Sequence, residues 1–317
     1  MNNAPPFGSP VLLVAFNRPE STRRVLEALA TAGVNRLYVS LDGPREGRPD
    51  EAARCAEVVD LIENEVWADQ VIMRRSPHNL GCRDGVTAGL DWFFELETEG
   101  IVLEDDCLPG EDFLPFCGQM LARYRDDHRI WQVSGTNLLG SWRPSRSDYF
   151  FGEGSIWGWA TWRRAWSHRD IDMQRWGDQQ ARDRARQFLG PIGWRSLADN
   201  YASVAAGEID TWDYQWSWTR ASSNGLSVIP ARNLISNIGF GPDATHTVRK
   251  RWPAEMPTAS LKPPLRAPAR LRFDRGFQAA LMARSDGVAA VRSLGSRALR
   301  RTIGRSAWEQ LRTPPSS

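Results

Sequence analysis

Residues Gly100-Ile101-Val102-Leu103-Glu104-Asp105-Asp106 decide how this chain is read: an apolar run ends in three consecutive carboxylates, and Leu108-Pro109-Gly110 then turns the backbone. A short apolar run closed by a turn signal reads as a strand buried on both faces, the habit of parallel sheets. Three adjacent acids repel one another and need a compensating cation or dense hydrogen bonding. Hard divalent ions, Mg²⁺ or Mn²⁺, take carboxylate oxygens together with substrate phosphates, and a short acidic loop at a strand end suits them. An acidic turn in solvent is the plainer alternative.

The same pattern repeats upstream. Val11 to Phe16 is a continuous apolar run closed by Asn17-Arg18-Pro19, and Glu20 to Ala32 has helical spacing at Val25, Leu26 and Leu29, with Ser21 as its N-cap. Arg36 to Leu41 is a second strand, ended by Asp42-Gly43-Pro44. Glu51 to Val66 is a helix with Val58, Val59, Ile62 and Val66 on one face. Gln70 to Arg74 is a short strand, and Arg83 to Glu97 is a helix leading into Gly100. Strands alternating with helices specify an α/β fold, a mostly parallel, Rossmann-like sheet flanked by helices. Right-handed crossovers put the strand C-ends on one edge, where open α/β sheets bind ligands. Asn17, Arg18, Asp42 and Asp106 all follow such ends.

Beyond residue 110 the character changes. Trp131 to Trp218 holds 11 of the 15 tryptophans. Strands are expected near Ile130 to Ser134 and Leu226 to Pro230, and helices near Ala160 to Arg164, Asp178 to Phe188 and Tyr214 to Ser222. Pro253 to Pro268 is proline-rich and reads as a linker. The expected organisation is therefore a body over residues 1–252, split into two halves (1–110 and 111–252), then a linker (253–268) and a basic, partly helical tail (269–317).

Charge supports that division. Lys262 to Ser317 carries twelve Lys/Arg against Asp274, Asp286 and Glu309, a net +9, which leaves the rest of the chain at −7. An acidic body argues against nucleic-acid binding. A basic tail is most simply a solvated extension; a peripheral contact with anionic lipid is the alternative. No apolar run reaches the ~18 residues of a membrane-spanning helix, and the N-terminus lacks a secretory pattern. The four cysteines show no C-x-x-C pairing, so a reduced, cytoplasmic chain is expected.

Several further residues carry chemistry. A carboxylate at Asp42 can accept from a base or ribose, and equally can shape an Asp-Gly-Pro turn. Arg18 can pair with phosphate or stack on a base. Asn79 and Arg83 flank Gly81 at a helix start; Asp84 suits the helix dipole there and Arg83 does not, so a polar or acidic ligand would account for it. In Trp212-Asp213-Tyr214-Gln215-Trp216 one carboxylate stands among aromatics. Burial against rings raises a carboxylate's pKa and suits it to proton transfer, with Asp210 a near rival. Trp157, Trp159 and Trp212 can stack on sugar rings, although aromatic stripes are more often core. His246 can complete a metal shell or donate to a diphosphate.

These segments resemble the GT-A fold glycosyltransferases. The likeness is closest to bacterial family-2-like sugar transferases of the hemolytic-protein-like group, and more distant to the N-acetylglucosaminyltransferase I family. It is carried by VLLVAFNRP (11–19), YVSLDG (38–43), IVLEDDCLPGEDF (101–113) and WDYQW (212–216), with support from WGWATWRRAW (157–166) and NIGFGPDATHT (237–247). The resemblance implies a nucleotide-diphosphate sugar donor, UDP-linked by preference, and a hydroxyl acceptor in cell-surface glycan synthesis. It would make residues 1–110 the nucleotide-binding half of the body and residues 111–252 the acceptor half. It implies that Asp42 contacts the base, that Glu104 and Asp105 lie near ribose and metal, and that Asp106 is the main ligand of Mn²⁺ or Mg²⁺. Where the acetylglucosaminyl family has Trp-Asp-Asp-Trp, this chain has Trp212-Asp213-Tyr214, which makes Asp213 the implied catalytic base of an inverting transfer. Two rival readings are a sugar-1-phosphate nucleotidyltransferase, whose glycine-rich basic loop is missing after Phe16, and a non-catalytic carbohydrate-binding protein on the same fold.

Overall fold

The computed structural model describes residues 8–142, 146–239 and 255–284. Its centre is an eight-stranded sheet in the order β3-β2-β1-β4-β8-β6-β9-β7. The strands are β1 (Val11–Ala15), β2 (Arg36–Leu41), β3 (Gln70–Arg75), β4 (Glu99–Glu104), β6 (Ile130–Ser134), β7 (Tyr149–Gly152), β8 (Trp159–Trp162) and β9 (Leu226–Pro230). β1 pairs in parallel with β2 and β4, Val11 lying opposite Leu37 and Ile101. β3 continues the parallel set. β8 runs antiparallel to β4 and β6, which restores β6 and β9 to the direction of β4, and β7 is an antiparallel edge. The sheet is therefore mostly parallel, as the order of apolar runs requires.

Strand periodicity divides the core in two. Val11, Leu13 and Ala15 face one side with Leu37, Val39, Ile101 and Leu103, and there they pack on Leu26 and Leu29 of α1 (Pro19–Thr31), Val58 and Ile62 of α2 (Pro49–Asn64) and Phe113 and Met120 of α4 (Phe113–Tyr124). Leu12, Tyr38 and Val102 face the other side, against Phe93 and Phe94 of α3 (Gly81–Leu96) and Trp131, Trp159, Trp166, Trp212 and Trp216. Alternate residues of one continuous apolar run thus serve two cores, which is why the run does not alternate with polar residues.

The remaining elements are α5 (Arg163–Trp166), α6 (Gln179–Ala205), α7 (Asp213–Ser222) and a two-stranded ladder of β5 (Cys107–Pro109) with β10 (Ile235–Asn237). α6 breaks at Gly190, φ 70° and ψ 176°, followed by Pro191; the proline has no N–H to donate to the helical ladder, and the glycine takes a positive φ that a side chain would disfavour.

Local expectations fail at four places. Residues 160–164 were expected as a helix, yet Trp159–Trp162 is a strand held between β4 and β6; being buried on both faces, it shows no amphipathic period. Ser21 does not cap α1: its Oγ donates to Arg18 O (3.4 Å), and Arg18 itself is the cap position. Val66 lies past the end of α2 and is 90% exposed. Residues 255–268, read as linker, lie on the body. Leu261 N donates to Asp112 Oδ2 (2.8 Å), and Arg266 N to Asp148 Oδ2 (2.9 Å). Phe273 bridges to Phe151, and Phe277, in a helix over residues 275–284, packs with Phe150 and Ile229. Proline content marked missing backbone donors, and the described stretch obtains its hydrogen bonds and apolar contacts from the body instead. No helix of the described residues is long and apolar enough to cross a membrane.

Candidate active site

The C-terminal ends of β1, β2 and β4 open into a cleft of about 1240 Å³ that continues along α7. Backbone bonds extend the sheet to its rim. Asp42 N donates to Ala15 O (3.2 Å) and Asp105 N to Val14 O (3.0 Å), so both acids leave the sheet with fixed direction from the two strands that flank β1.

The acidic cluster is built around Arg18. Its Nη1 lies 3.0 Å from Asp105 Oδ1 and 3.0 Å from Asp106 Oδ2. Asp105 Oδ2 also accepts from Phe16 N (3.2 Å), and Asp106 Oδ1 from Asn237 Nδ2 (3.3 Å). Asp106 O accepts from Ile238 N (2.8 Å), so the strand following residue 234 returns to the acid loop. Burial holds the Glu104 carboxyl well above the usual range, and the nearby charges of Asp106, Asp105 and Asp213 push the same way. Asp105 is pushed up to about 6, again mainly by burial, with the Arg18 charge opposing. Three carboxyls thus share one guanidinium, and burial resists the ionisation of Glu104 and Asp105.

Asp42 lines the same cleft but turns its carboxylate to the neighbouring loop. It accepts from Asn79 Nδ2 (2.9 Å), Leu80 N (2.9 Å) and Gly81 N (3.2 Å). Burial raises its pKa, and these backbone donors work against that rise. Its carboxylate organises this loop on the cleft wall, as the turn reading has it. Gly81 sits there with φ +82°, in the left-handed region that glycine enters without cost. Asn79 lines the cleft through this loop. Arg83 pairs with Asp84 (2.7 Å), is partly exposed and is not among the cleft residues. Asn17 is not among them either; it donates to Glu51 Oε2 (3.2 Å).

Across the cleft, Asp213 begins α7. Its Oδ1 accepts from Tyr214 N (2.8 Å) and from Thr211 Oγ1. Its charge reaches Glu104 and Cys82, which places it over the acid loop. Trp157 lines the cleft, and so does Asp210; Trp212 borders it but is 2% exposed, its ring packed into the core. Trp159 does not: it is fully buried, stacked on Trp212 at 5.7 Å in the core. His246 lies outside the described residues.

Sequence reasoning missed four residues of the cleft. Asn237 sat inside a quoted motif without a role. Arg45 stands over Phe16 at 5.9 Å, both on the cleft wall. Glu153 and Arg220 form a buried ion pair at 2.9 Å; the available signal was a lone acid between two glycines, Gly152-Glu153-Gly154, and an arginine inside an otherwise buried helix. A second, smaller depression of about 540 Å³ opens on the opposite rim. Its charges are already matched, Arg36 with Glu97 and Arg125 with Glu99, and it brings no reactive set together.

Among the described residues no three His, Cys, Asp or Glu side chains converge as a metal cage. A hard ion held by one or two carboxylates plus substrate phosphates needs no such cage. The clustered carboxyls of Glu104, Asp105 and Asp106 share a single guanidinium and are oxygen donors of the right kind, so the residues fit a divalent cation.

No protein-family model matches the sequence, and no curated protein matches it. Solved structures similar to it include UDP-glucose pyrophosphorylase complexed with UDP-glucose, at 6% identity and TM-score 0.37 over 72% of this chain and 93% of that one. Mouse xyloside xylosyltransferase 1 matches at 13% identity and TM-score 0.30 over 67% and 80%. The bifunctional glycosyltransferase WbbM matches at 10% identity and TM-score 0.31 over 69% of this chain and 38% of that one. At these TM-scores the likeness is one of general arrangement and assigns no chemistry to this chain.

Proposed function

We propose that this chain is a glycosyltransferase that moves a sugar from a nucleotide-diphosphate donor, UDP-linked by preference, to a hydroxyl acceptor with inversion, in the synthesis of a surface glycan. The observation that carries this reading is the placement of Asp106 and Asp213 on the same cleft, at the edge where the parallel strands end. One acid is fixed near a cationic guanidinium and suits a diphosphate site; the other begins a helix among tryptophans and suits a proton acceptor.

The nucleotide is held along Phe16, Arg45 and the loop organised by Asp42, where an aromatic face and a guanidinium can flank a base. Asp106, with Arg18 beside it, would hold a divalent ion, Mn²⁺ or Mg²⁺, together with the donor phosphates. When bound, that ion neutralises charge building on the departing diphosphate. Asp213 accepts the acceptor hydroxyl proton while its oxygen attacks C1 from the face opposite the diphosphate. The C1–phosphate oxygen bond breaks with its electron pair leaving on the diphosphate, so no protein acid is needed. Trp157, partly exposed on the cleft, supplies an apolar face for a sugar.

A thermal-shift panel of UDP-, GDP- and dTDP-linked hexoses, each with and without Mn²⁺, tests the reading. The expected result is a rise with one nucleotide series that grows with Mn²⁺ and vanishes in Asp106→Ala. No shift with any nucleotide sugar rejects it. Pyrophosphate release from a nucleoside triphosphate and a sugar phosphate would favour nucleotidyl transfer instead.

A further inference from the structure

The cleft wall contains a charged pair that the reaction above leaves unused. α7 lies over β6 and β9, with Trp216 Nε1 donating to Gln132 Oε1 (2.8 Å) and Arg220 Nη1 to Ser227 Oγ (2.6 Å). Asp213, Ser217 and Arg220 follow one another at helical spacing along the side of α7 that lines the cleft. Opposite them stands Glu153, immediately after β7. Glu153 Oε1 accepts from Ser217 Oγ (2.6 Å) and Arg220 Nη2 (2.9 Å), and Tyr201 OH lies 2.6 Å from Ser217 Oγ. Glu153 Oε2 is buried and has no hydrogen-bond partner, and the same holds for Arg220 Nε. The Arg220 side chain is 1% exposed, that of Glu153 15%.

A buried carboxylate oxygen with no donor is costly, and native proteins keep such groups where a ligand or water completes them. This one belongs to a side chain on a cleft wall, held by Ser217 and Arg220 one and two turns of α7 beyond Asp213. The terminal torsion of glutamate is broad and nearly two-fold, so either oxygen can meet a ligand while the other keeps Arg220. A neutral donor group suits the pair best, because Arg220 already balances the carboxylate. Sugar hydroxyls are such donors.

We infer that Glu153, held by Ser217 and Arg220, accepts a hydrogen bond from a hydroxyl of the transferred sugar and so determines which sugar the cleft takes. This rests on the nucleotide-sugar reading above. A site that hydrogen-bonds one hydroxyl discriminates strongly against a sugar with that hydroxyl inverted or missing, because the buried acceptor is then left unpaired.

Calorimetric titration of the full chain with Mn²⁺ tests it, comparing the preferred hexose donor of the panel, its epimers and the bare nucleoside diphosphate. In Glu153→Gln the preferred nucleotide sugar should bind about tenfold more weakly, the preference among epimers should shrink, and the bare diphosphate should bind within about twofold of wild type. Glu153→Asp keeps the charge that Arg220 requires but withdraws the oxygen by one methylene, and should show the same selective loss if the glutamine variant fails to fold. Equal weakening of sugar and bare diphosphate, or no change in preference, overturns the assignment. If wild type binds neither nucleotide sugars nor nucleoside diphosphates, the transferase reading falls first and this one with it.

Discussion

The guanidinium of Arg18 stands between Asp105 and Asp106, its Nη1 3.0 Å from a carboxylate oxygen of each. Its side chain is 21% exposed, so the pairing is only partly screened by water. The three residues come from the ends of two adjacent strands, and the arginine keeps two neighbouring acids together where repulsion would spread them. Replacing Arg18 with Ala is expected to cost about 1–3 kcal/mol, a few degrees in Tm. It also removes a cation that competes for Asp106. Mn²⁺ alone should therefore raise the Tm of Arg18→Ala by more than it raises wild type. An equal or smaller rise would place the ion elsewhere.

Asp42 is expected to act on the loop first and on the nucleotide through it. Asp42→Ala removes the acceptor for Leu80 N, Gly81 N and Asn79 Nδ2 at once. Leaving partly buried donors unpaired costs about 1–3 kcal/mol. Amide exchange at Leu80 and Gly81 should accelerate in the apo protein, and nucleotide affinity should fall as that wall loosens. Asp42→Asn keeps one acceptor oxygen and should lose less on both measures. Unchanged exchange in the alanine variant would show that the loop is held by other contacts.

How much of this was legible in sequence follows from where each signal lives. β1, β2 and β4 announce themselves because a strand buried on both faces is a continuous apolar run, and the acids that end them fall on one rim by topology alone. Asp213 was legible as a carboxylate among rings. Trp159 misled, because an aromatic residue in a core strand and one on a sugar-stacking wall look alike until the strand's neighbours are known. Glu153 and Arg220 each left a faint local signal, but their pairing was illegible: they lie 67 residues apart, and nothing local to either reports the other. The packing of residues 255–268 was hidden for a similar reason, since its partners Asp112 and Asp148 are distant acids with no pattern of their own.

Glu51 links the cleft wall to stability against acid. It is 3% exposed and accepts from Arg45 N (2.8 Å), from the Arg45 guanidinium and from Asn17 Nδ2. The Arg45 contacts hold its pKa down at about 2, below the ordinary 4.5. A carboxyl depressed on folding contributes stability above its ordinary pKa and loses it as pH falls through the folded value. Glu51→Gln should therefore lower the unfolding free energy obtained from urea titration at pH 7 by about 1–2 kcal/mol, given that Arg45 is half exposed. The difference from wild type should shrink between about pH 4.5 and pH 2. A deficit that stays constant across that window would mean the effect is packing and not charge.

Asp213 offers the sharpest separation of chemistry from binding. Both of its contacts, from Tyr214 N and Thr211 Oγ1, fall on Oδ1. An asparagine can place its amide oxygen there and accept the same two bonds, so the start of α7 should keep its shape. What the amide cannot do is take up a proton. Asp213→Asn is therefore expected to lower kcat by about 10²–10⁴, with donor affinity within about twofold of wild type and a nearly unchanged Tm. Asp210 shares the cleft and is the control: Asp210→Asn should keep most of kcat, because its neighbour still takes the proton. If the two variants exchange these outcomes, the base is Asp210 and Asp213 serves only to begin the helix.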